Sequence, residues 1–512
     1  MSDNGVNKRI AQNTVMLYFR MFFSMIVTLY TSRVLLDALG VEDFGIYNVV
    51  GGVVIMLGFL NNAMAASTQR FLTFALGKQE LDKIRKVFNM SITIHIIIAF
   101  CIVLLAETVG LWFLNNKLSI PFDRLFAANW VYQFSILSFI ASVLSVPYNA
   151  AIIANEKMKI FAVVGIIEVV LKLLIVLIVM ALPYDELIAY GLLLSFVSVV
   201  VGGFYFTYCR KTFEESKGYY FNWDKNLFKE MGNFASWNLL GVTAGIGYNQ
   251  GVNILLNIFF GPTVNAARGI AFQVQGAVSR FVTNFQIAVN PSITKLYAQG
   301  EMTSSFNLVF SSSKLSFYLL LFLSLPILLQ TDVILGLWLK QVPDYTVVFT
   351  QLVLIDILIG SLSGPLQILA QATGEIRKYQ IYVSGILLLN LPTSYIFLKL
   401  GYLPESTMFI SIFFTFIALW MRLRILNQMA SFPMAQFLKD IVLKVGIITS
   451  VSLAPALLFK MNTSDSFWNF IIVVSLSILS TIISILAFGL NKEEKKLFKE
   501  FYFKLKIKFQ QN

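Results

Sequence analysis

The sequence predicts an all-α integral membrane protein of about 14 transmembrane helices, built as two parallel six-helix lobes with two further helices appended at the C-terminal end. Three observations predict it. Of 512 residues, 57% are hydrophobic and only 13% charged, about half the charged share usual in soluble domains, so a soluble chain of this kind could not cover its own surface. Apolar runs of about 20 residues, the length that crosses a hydrocarbon core of about 30 Å, alternate with short charged turns. Finally, a set of residues and short motifs recurs along the chain at offsets of 218 to 226.

Fourteen runs qualify as spans: 12–34, 44–67, 88–114, 126–154, 160–181, 187–209, 233–259, 265–290, 308–330, 346–372, 379–400, 406–426, 438–459 and 467–489. The opening "MSDNGVNKRIAQNT" leads into a full-length span carrying Arg20, so it does not read as a cleavable signal peptide. The runs at 160–181 and 467–489 are the strongest. Those at 233–259 and 265–290 are the weakest, because amides crowd them. A β-barrel would instead alternate apolar and polar residues over strands of about 10 positions. Cys101 and Cys209 both fall in spans, which indicates neither a disulfide framework nor a metal site.

Charge orients the spans. With an even count, the gaps sharing a side with both termini hold 26 of the 39 Lys and Arg, and the opposite gaps hold 7, among them Arg33, Arg124, Arg268 and Lys460. The positive-inside rule then places both termini in the cytoplasm. The net charge of +12 is accounted for by this asymmetry and calls for no nucleic-acid partner.

The repeat divides the chain. "VPYNAAIIANEKMK" (146–159) returns as "GPLQILAQATGEIRK" (364–378), matching Pro147 with Pro365, Ala154 with Ala372, Glu156 with Glu375 and Lys159 with Lys378. "SRVLLDALG" (32–40) returns as "VNILLNIFFG" (252–261), "KVF" (86–88) as "LVF" (308–310), and "GLW" (110–112) at 336–338. Asn13 and Asn233 each open a span. Six spans per copy enter the membrane in the same direction, as in transporters that rock two halves about a central site. The expected divisions are a lobe over 1–215, a second over 216–430, two added spans over 431–490 and a basic amphipathic tail over 491–512, suited to an anionic lipid surface.

Polar residues then mark candidate functional positions. No Asn or Gln occurs between 160 and 209, whereas twelve occur between 233 and 290. Spans 1, 2, 7 and 8 are therefore expected to line a polar cleft, with Asn48, Asn249, Gln250, Asn253, Gln273 and Asn284 as candidate ligands for substrate hydroxyls. Interhelical hydrogen bonding is the competing role for any one amide. Arg20, Lys172, Arg280 and Lys314 lie inside apolar runs, where a lipid-facing charge costs about 2.5–3.5 kcal/mol. Lys172 has Glu168 one turn earlier as an ion-pair partner, and Lys314 is near enough to a span end to snorkel. Arg20 and Arg280 have no acid within a turn and form the preferred anion site, since a guanidinium binds phosphate oxygens bidentately. Asp356, alone in mid-span, is a candidate carrier of a proton or sodium ion, with Glu168 second, and a packing role competes for both. His95 reads as a packing residue.

Two six-helix lobes, two appended spans, the amide-rich cleft and the "GE.RK" hairpin resemble the polysaccharide-transporter branch of the multidrug/oligosaccharidyl-lipid/polysaccharide (MOP) exporter superfamily. The likeness runs through nearly the whole chain, and "NTVMLYFRMFFSMIVTLYTSRVLLDALGVEDFGIYNVV" (13–50) is its most specific part. The resemblance implies a flippase of the bacterial inner membrane that moves an undecaprenyl-diphosphate-linked oligosaccharide, a unit of O-antigen, capsule or exopolysaccharide, to the outer leaflet. It further implies membrane lipids, a coupling ion and polysaccharide-assembly proteins as partners, and no cofactor. Two related readings stay open, a multidrug/cation antiporter and a lipid II flippase. A membrane glycan polymerase or glycosyltransferase is a reading of another class. It would show a large outer loop or a clustered acidic site, and every outer gap here is short.

Overall fold

A computed structural model describes residues 3–56, 59–118, 120–221, 223–339, 341–463, 466–491 and 494–495, and among these there is no strand. The basic tail expected at 491–512 lies, beyond Lys495, outside the described residues. The long helices, in chain order, are α1 (Asp3–Met56, broken at Gly40, which sits at φ +71°), α2 (Phe59–Lys78), α3 (Leu81–Asn116), α4 (Phe122–Ala154), α5 (Met158–Val179), α6 (Glu186–Thr212), α7 (Lys225–Phe260), α8 (Pro262–Ala298), α9 (Met302–Leu329), α10 (Thr346–Thr373), α11 (Ile376–Lys399), α12 (Ser406–Ala430), α13 (Met434–Met461) and α14 (Phe467–Gly489).

Among the described residues, eleven helical segments are long and apolar enough to cross a membrane, which makes the chain a multi-pass membrane protein. Three of the fourteen expected runs, 44–67, 233–259 and 265–290, are helical over their described residues but absent from that set. The last two form the middle of α7 and α8, helices of 36 and 37 residues whose amides and glycines dilute their apolar character.

The chain divides into two compact units. The first comprises Ile10–Leu239 and the short segment Thr294–Gly300; the second holds Met1–Arg9, Leu240–Ile293 and the chain from Glu301 onward. Within the first unit α4 packs along α6. The approach is close because α6 turns Gly191 toward Val131 and Phe134, where a Cβ would already sit 3.3 Å from both side chains. One apolar cluster of this unit gathers Ala106, Val131, Tyr132, Val176, Val179 and Leu187 from α3 to α6. A second gathers Leu72, Val87, Phe88, Ile152, Ala154 and Met231. In the second unit Leu256, Ala267, Ala271, Phe349 and Val353 form a core between α7, α8 and α10, and α14 packs on α13 and α9.

The two recurring hairpins close alike. The α4–α5 turn passes through Glu156 at φ +57° and the α10–α11 turn through Gly374 at φ +85°, so a left-handed residue reverses each chain. Ala154 and Ala372, matched in sequence, are both fully buried beside those turns.

Candidate functional site

In the first unit the intramembrane charges are gathered by α5. Phe161, Gly165 and Glu168 are spaced along one face of that helix, and Arg20 of α1 lies across them. Its guanidinium carbon stands 4.3 Å from the centre of the Phe161 ring. The bare backbone of Gly165 makes room for it: a Cβ there would lie 2.7 Å from Arg20 Nε. Glu168 is near enough to act on Arg20 through its charge, and accepts a hydrogen bond of 2.6 Å from Lys172 Nζ. The pairing of Glu168 with Lys172 follows the sequence reading; the acid beside Arg20 arrives from another helix and is invisible in its own sequence neighbourhood.

The hairpin glutamate is also occupied. Glu156 Oε1 accepts from Lys295 Nζ at 3.0 Å, and the Glu156 carbonyl accepts from Asn13 Nδ2 at 3.2 Å. Lys295 belongs to the last turns of α8, whose Ala298 rests against Gly77 of α2.

A cluster that the sequence reading did not anticipate sits at the end of the first unit where α4 and α6 begin. Arg124 donates to both carboxylate oxygens of Asp43 and to Asp185, at 2.8 Å to Asp43 Oδ1 and 2.6 Å to Asp185 Oδ2. Asp185 also caps α6 by accepting from Ile188 N at 3.0 Å. Burial pushes the Asp185 carboxyl up, but the Arg124 hydrogen bond and charge outweigh it and hold the group below the usual carboxylate range.

The second unit holds a connected polar network inside its helices. Arg268 of α8 is 4% exposed. It donates from Nη1 to Asn253 Oδ1 at 3.0 Å and from Nη2 to Asn249 Oδ1 at 3.4 Å, and stacks 4.2 Å over the Phe272 ring. Its Nε has no hydrogen-bond partner among the described residues. Next to Asn249, Tyr248 shares a hydrogen bond of 2.6 Å with Ser411 Oγ. Ser411 donates to Asp356 Oδ2 at 2.9 Å, and Thr415 donates to Asp356 Oδ1 at 2.6 Å. Since the one Ser411 proton goes to Asp356, the Tyr248 hydroxyl is the donor to Ser411. Asp356 is therefore fixed through both oxygens by α12 and linked through Ser411 and Tyr248 to α7, whose Asn249 and Asn253 accept from Arg268 of α8.

The remaining expected residues scatter. Arg280 and Gln273 are exposed on α8, Gln250 is exposed on α7, and Asn284 Nδ2 donates to the Arg280 carbonyl at 2.8 Å. The side chain of Asn48 lies outside the described residues. Lys314 is committed elsewhere: 4% exposed, it pairs at 2.7 Å with Glu494, 180 residues further along. His95 is fully buried and bonds the Ser91 carbonyl at 2.7 Å within its own helix, as a packing residue does. Arg268 is the principal functional candidate missed. It was counted in an outer gap, yet it lies six residues inside α8, about 9 Å from the helix start. Phe272 one turn on, and the Asn249–Asn253 pair on the preceding helix, were the available signal.

No family model matches the chain, and no curated protein matches it. Solved structures do. An outward-facing multidrug-resistance MATE family transporter of the MOP superfamily superposes with a TM-score of 0.69 at 14% identity, covering 82% of this chain and 96% of its own. The MATE transporter ClbM in complex with Rb+ gives 0.68 at 14% identity, covering 81% and 94%. A MOP superfamily transporter from Pyrococcus furiosus, whose reversed binding-pocket polarity suggests a different function for it, gives 0.66 at 13% identity, covering 82% and 96%. With eleven apolar helices among the described residues and this correspondence along four fifths of its length, the chain is a multi-pass membrane protein with the fold of the MATE transporters of the MOP superfamily.

Proposed function

We propose that this protein is a transporter that carries an undecaprenyl-diphosphate-linked oligosaccharide across the bacterial inner membrane by alternating access. The observation that supports it most is Arg268, a buried guanidinium whose described partners are amides and an aromatic ring, with no carboxylate among them. Arg280 lies twelve residues along the same helix, about 18 Å away, also without a described acid partner. A surplus of fixed positive charge repels cationic drugs and favours a substrate carrying a diphosphate, which loses its hydration on entering a low-dielectric site and must find cations there. Amides such as Gln250 and Gln273, exposed on α7 and α8, suit the hydroxyls of a glycan.

The test is export in cells that depend on this protein. Arg268→Ala and Arg280→Ala should each lower surface polysaccharide at least tenfold with normal protein level in the membrane, and Arg268→Lys should recover part of it, since charge survives while the planar fork does not. Unchanged export in both alanine variants would overturn the reading. A second reading, cation-coupled drug export, is favoured by one observation, the carboxylate of Asp356 held inside a helical bundle. It predicts that Asp356→Asn abolishes resistance to cationic compounds and that the arginine variants leave it intact.

A further inference from the structure

We propose that the first unit carries a binding site for an aminoalkyl phosphate, the head group of a phosphatidylethanolamine-type lipid, between the start of α3 and the segment that joins the sixth and seventh long helices. A cavity of about 290 Å³ opens there, lined by Asp82, Arg85, Lys86 and Asn89 of α3 and by Tyr220 and Asp224 of the joining segment. Two cations and two carboxylates face the same space. A purely anionic ligand would meet the aspartates, and a purely cationic one would meet Arg85 and Lys86. Arg85 also pairs with Glu214 at 3.6 Å through Nη2, and a ligand with both charges a few ångströms apart complements the two aspartates, Lys86 and the donors of Arg85 that face the cavity.

Asn89 sharpens the chemistry. It is 8% exposed, and its Oδ1 has no hydrogen-bond partner among the described residues. Leaving such an acceptor without a donor costs its desolvation, and buried polar groups without partners call for a reason. An acceptor lining the same cavity as two carboxylates is suited to an N–H donor. A primary ammonium supplies three; a trimethylammonium supplies none.

The surroundings indicate a membrane source. Tyr219, Tyr220, Phe221 and Trp223 are all exposed, Tyr220 by 74%, and Leu81 beside them is exposed as well. Clustered aromatic side chains of this kind sit at the head-group level of a bilayer. The joining segment is held to α3 by a 3.0 Å hydrogen bond between Tyr219 and Thr93, one turn beyond Asn89. Asp224 keeps one oxygen for capping α7, accepting from Asn226 N and Leu227 N at 3.0 Å each, which leaves the other for the ligand.

Native mass spectrometry of the purified full chain tests the site, with equimolar phosphatidylethanolamine, phosphatidylcholine and phosphatidylglycerol of identical acyl chains, and with soluble phosphoethanolamine as a separate arm. The ethanolamine lipid should be retained at least fivefold over the other two. Asp82→Asn should bring it to parity with phosphatidylcholine, and joint Arg85→Gln and Lys86→Gln should lower retention of all three lipids. Lipid-free melting temperatures within a few degrees of the wild type would show that the variants fold. Equal retention of the ethanolamine and choline lipids by the unaltered protein would overturn the proposal, as would an Asp82→Asn protein that keeps the preference. Soluble phosphoethanolamine displacing the lipid at equal concentration would overturn the assignment to a lipid.

Discussion

A guanidinium in mid-membrane is tolerated when the protein supplies an aromatic face or an acid, and Arg20 receives both from α5. Its contact with Phe161 contributes about 0.5–2 kcal/mol and depends on the absence of a side chain at Gly165. Gly165→Val should therefore expel the guanidinium from its seat and reduce transport, with a melting temperature lowered by only a few degrees. Glu168 is ion-paired with Lys172 and acts on Arg20 only through its charge, so the two should respond unequally. Lys172→Met leaves Glu168 beside Arg20 and should lower the membrane level of the protein modestly. Glu168→Gln strips both cations of their acid and should lower it more, as immunoblots of isolated membranes would show. Asp185 carries a pH dependence. Its folded carboxyl is depressed by Arg124, so its contribution to stability is complete above the unfolded value of about 3.9 and is lost as pH falls through the lower folded value. Melting temperature should hold steady down to about pH 4 and drop below it, and Asp185→Asn should lower the plateau and flatten the drop.

The helices were legible because a bilayer imposes one length and one composition on nearly every span. The hairpin at 154–158 was legible because it recurs, and its glutamate proved to be held in a buried ion pair. α7 and α8 were readable as unusual but not as sites. Their amides signalled a polar face, whereas the partner of those amides, Arg268, was counted with the outer-gap charges although the run at 265–290 already contains it. Contacts across long separations were out of reach altogether. Nothing near Lys314 announces Glu494, because a charge that is satisfied in tertiary structure looks the same in sequence as one that is not. That ion pair ties the segment after α14 to α9, with Tyr318 donating to the Gly489 carbonyl at 3.4 Å beside it. Glu494→Ala leaves an ammonium buried without its acid and should cost about 3–5 kcal/mol, whereas Lys314→Met combined with Glu494→Ala should recover most of the loss. Thermal unfolding in detergent measures both.

At the scale of the molecule, the MATE-type fold carries fixed positive charge in the helices of its second unit where a drug exporter of cations would be expected to carry negative. Arg268 and Arg280 on one helix supply that charge, and Asp356, bonded by Ser411 and Thr415 and joined to Tyr248, is on the proposed reading the group that would couple transport to an ion. The most direct measurement reconstitutes the protein in vesicles and follows movement of a fluorescent undecaprenyl-diphosphate oligosaccharide between leaflets, with a cationic dye as the parallel substrate. The diphosphate lipid should move at least tenfold faster than in protein-free vesicles, the Arg268→Ala protein should fall to the protein-free rate, and the dye should not accumulate. Transport of the dye, with the diphosphate lipid stationary, would contradict the account.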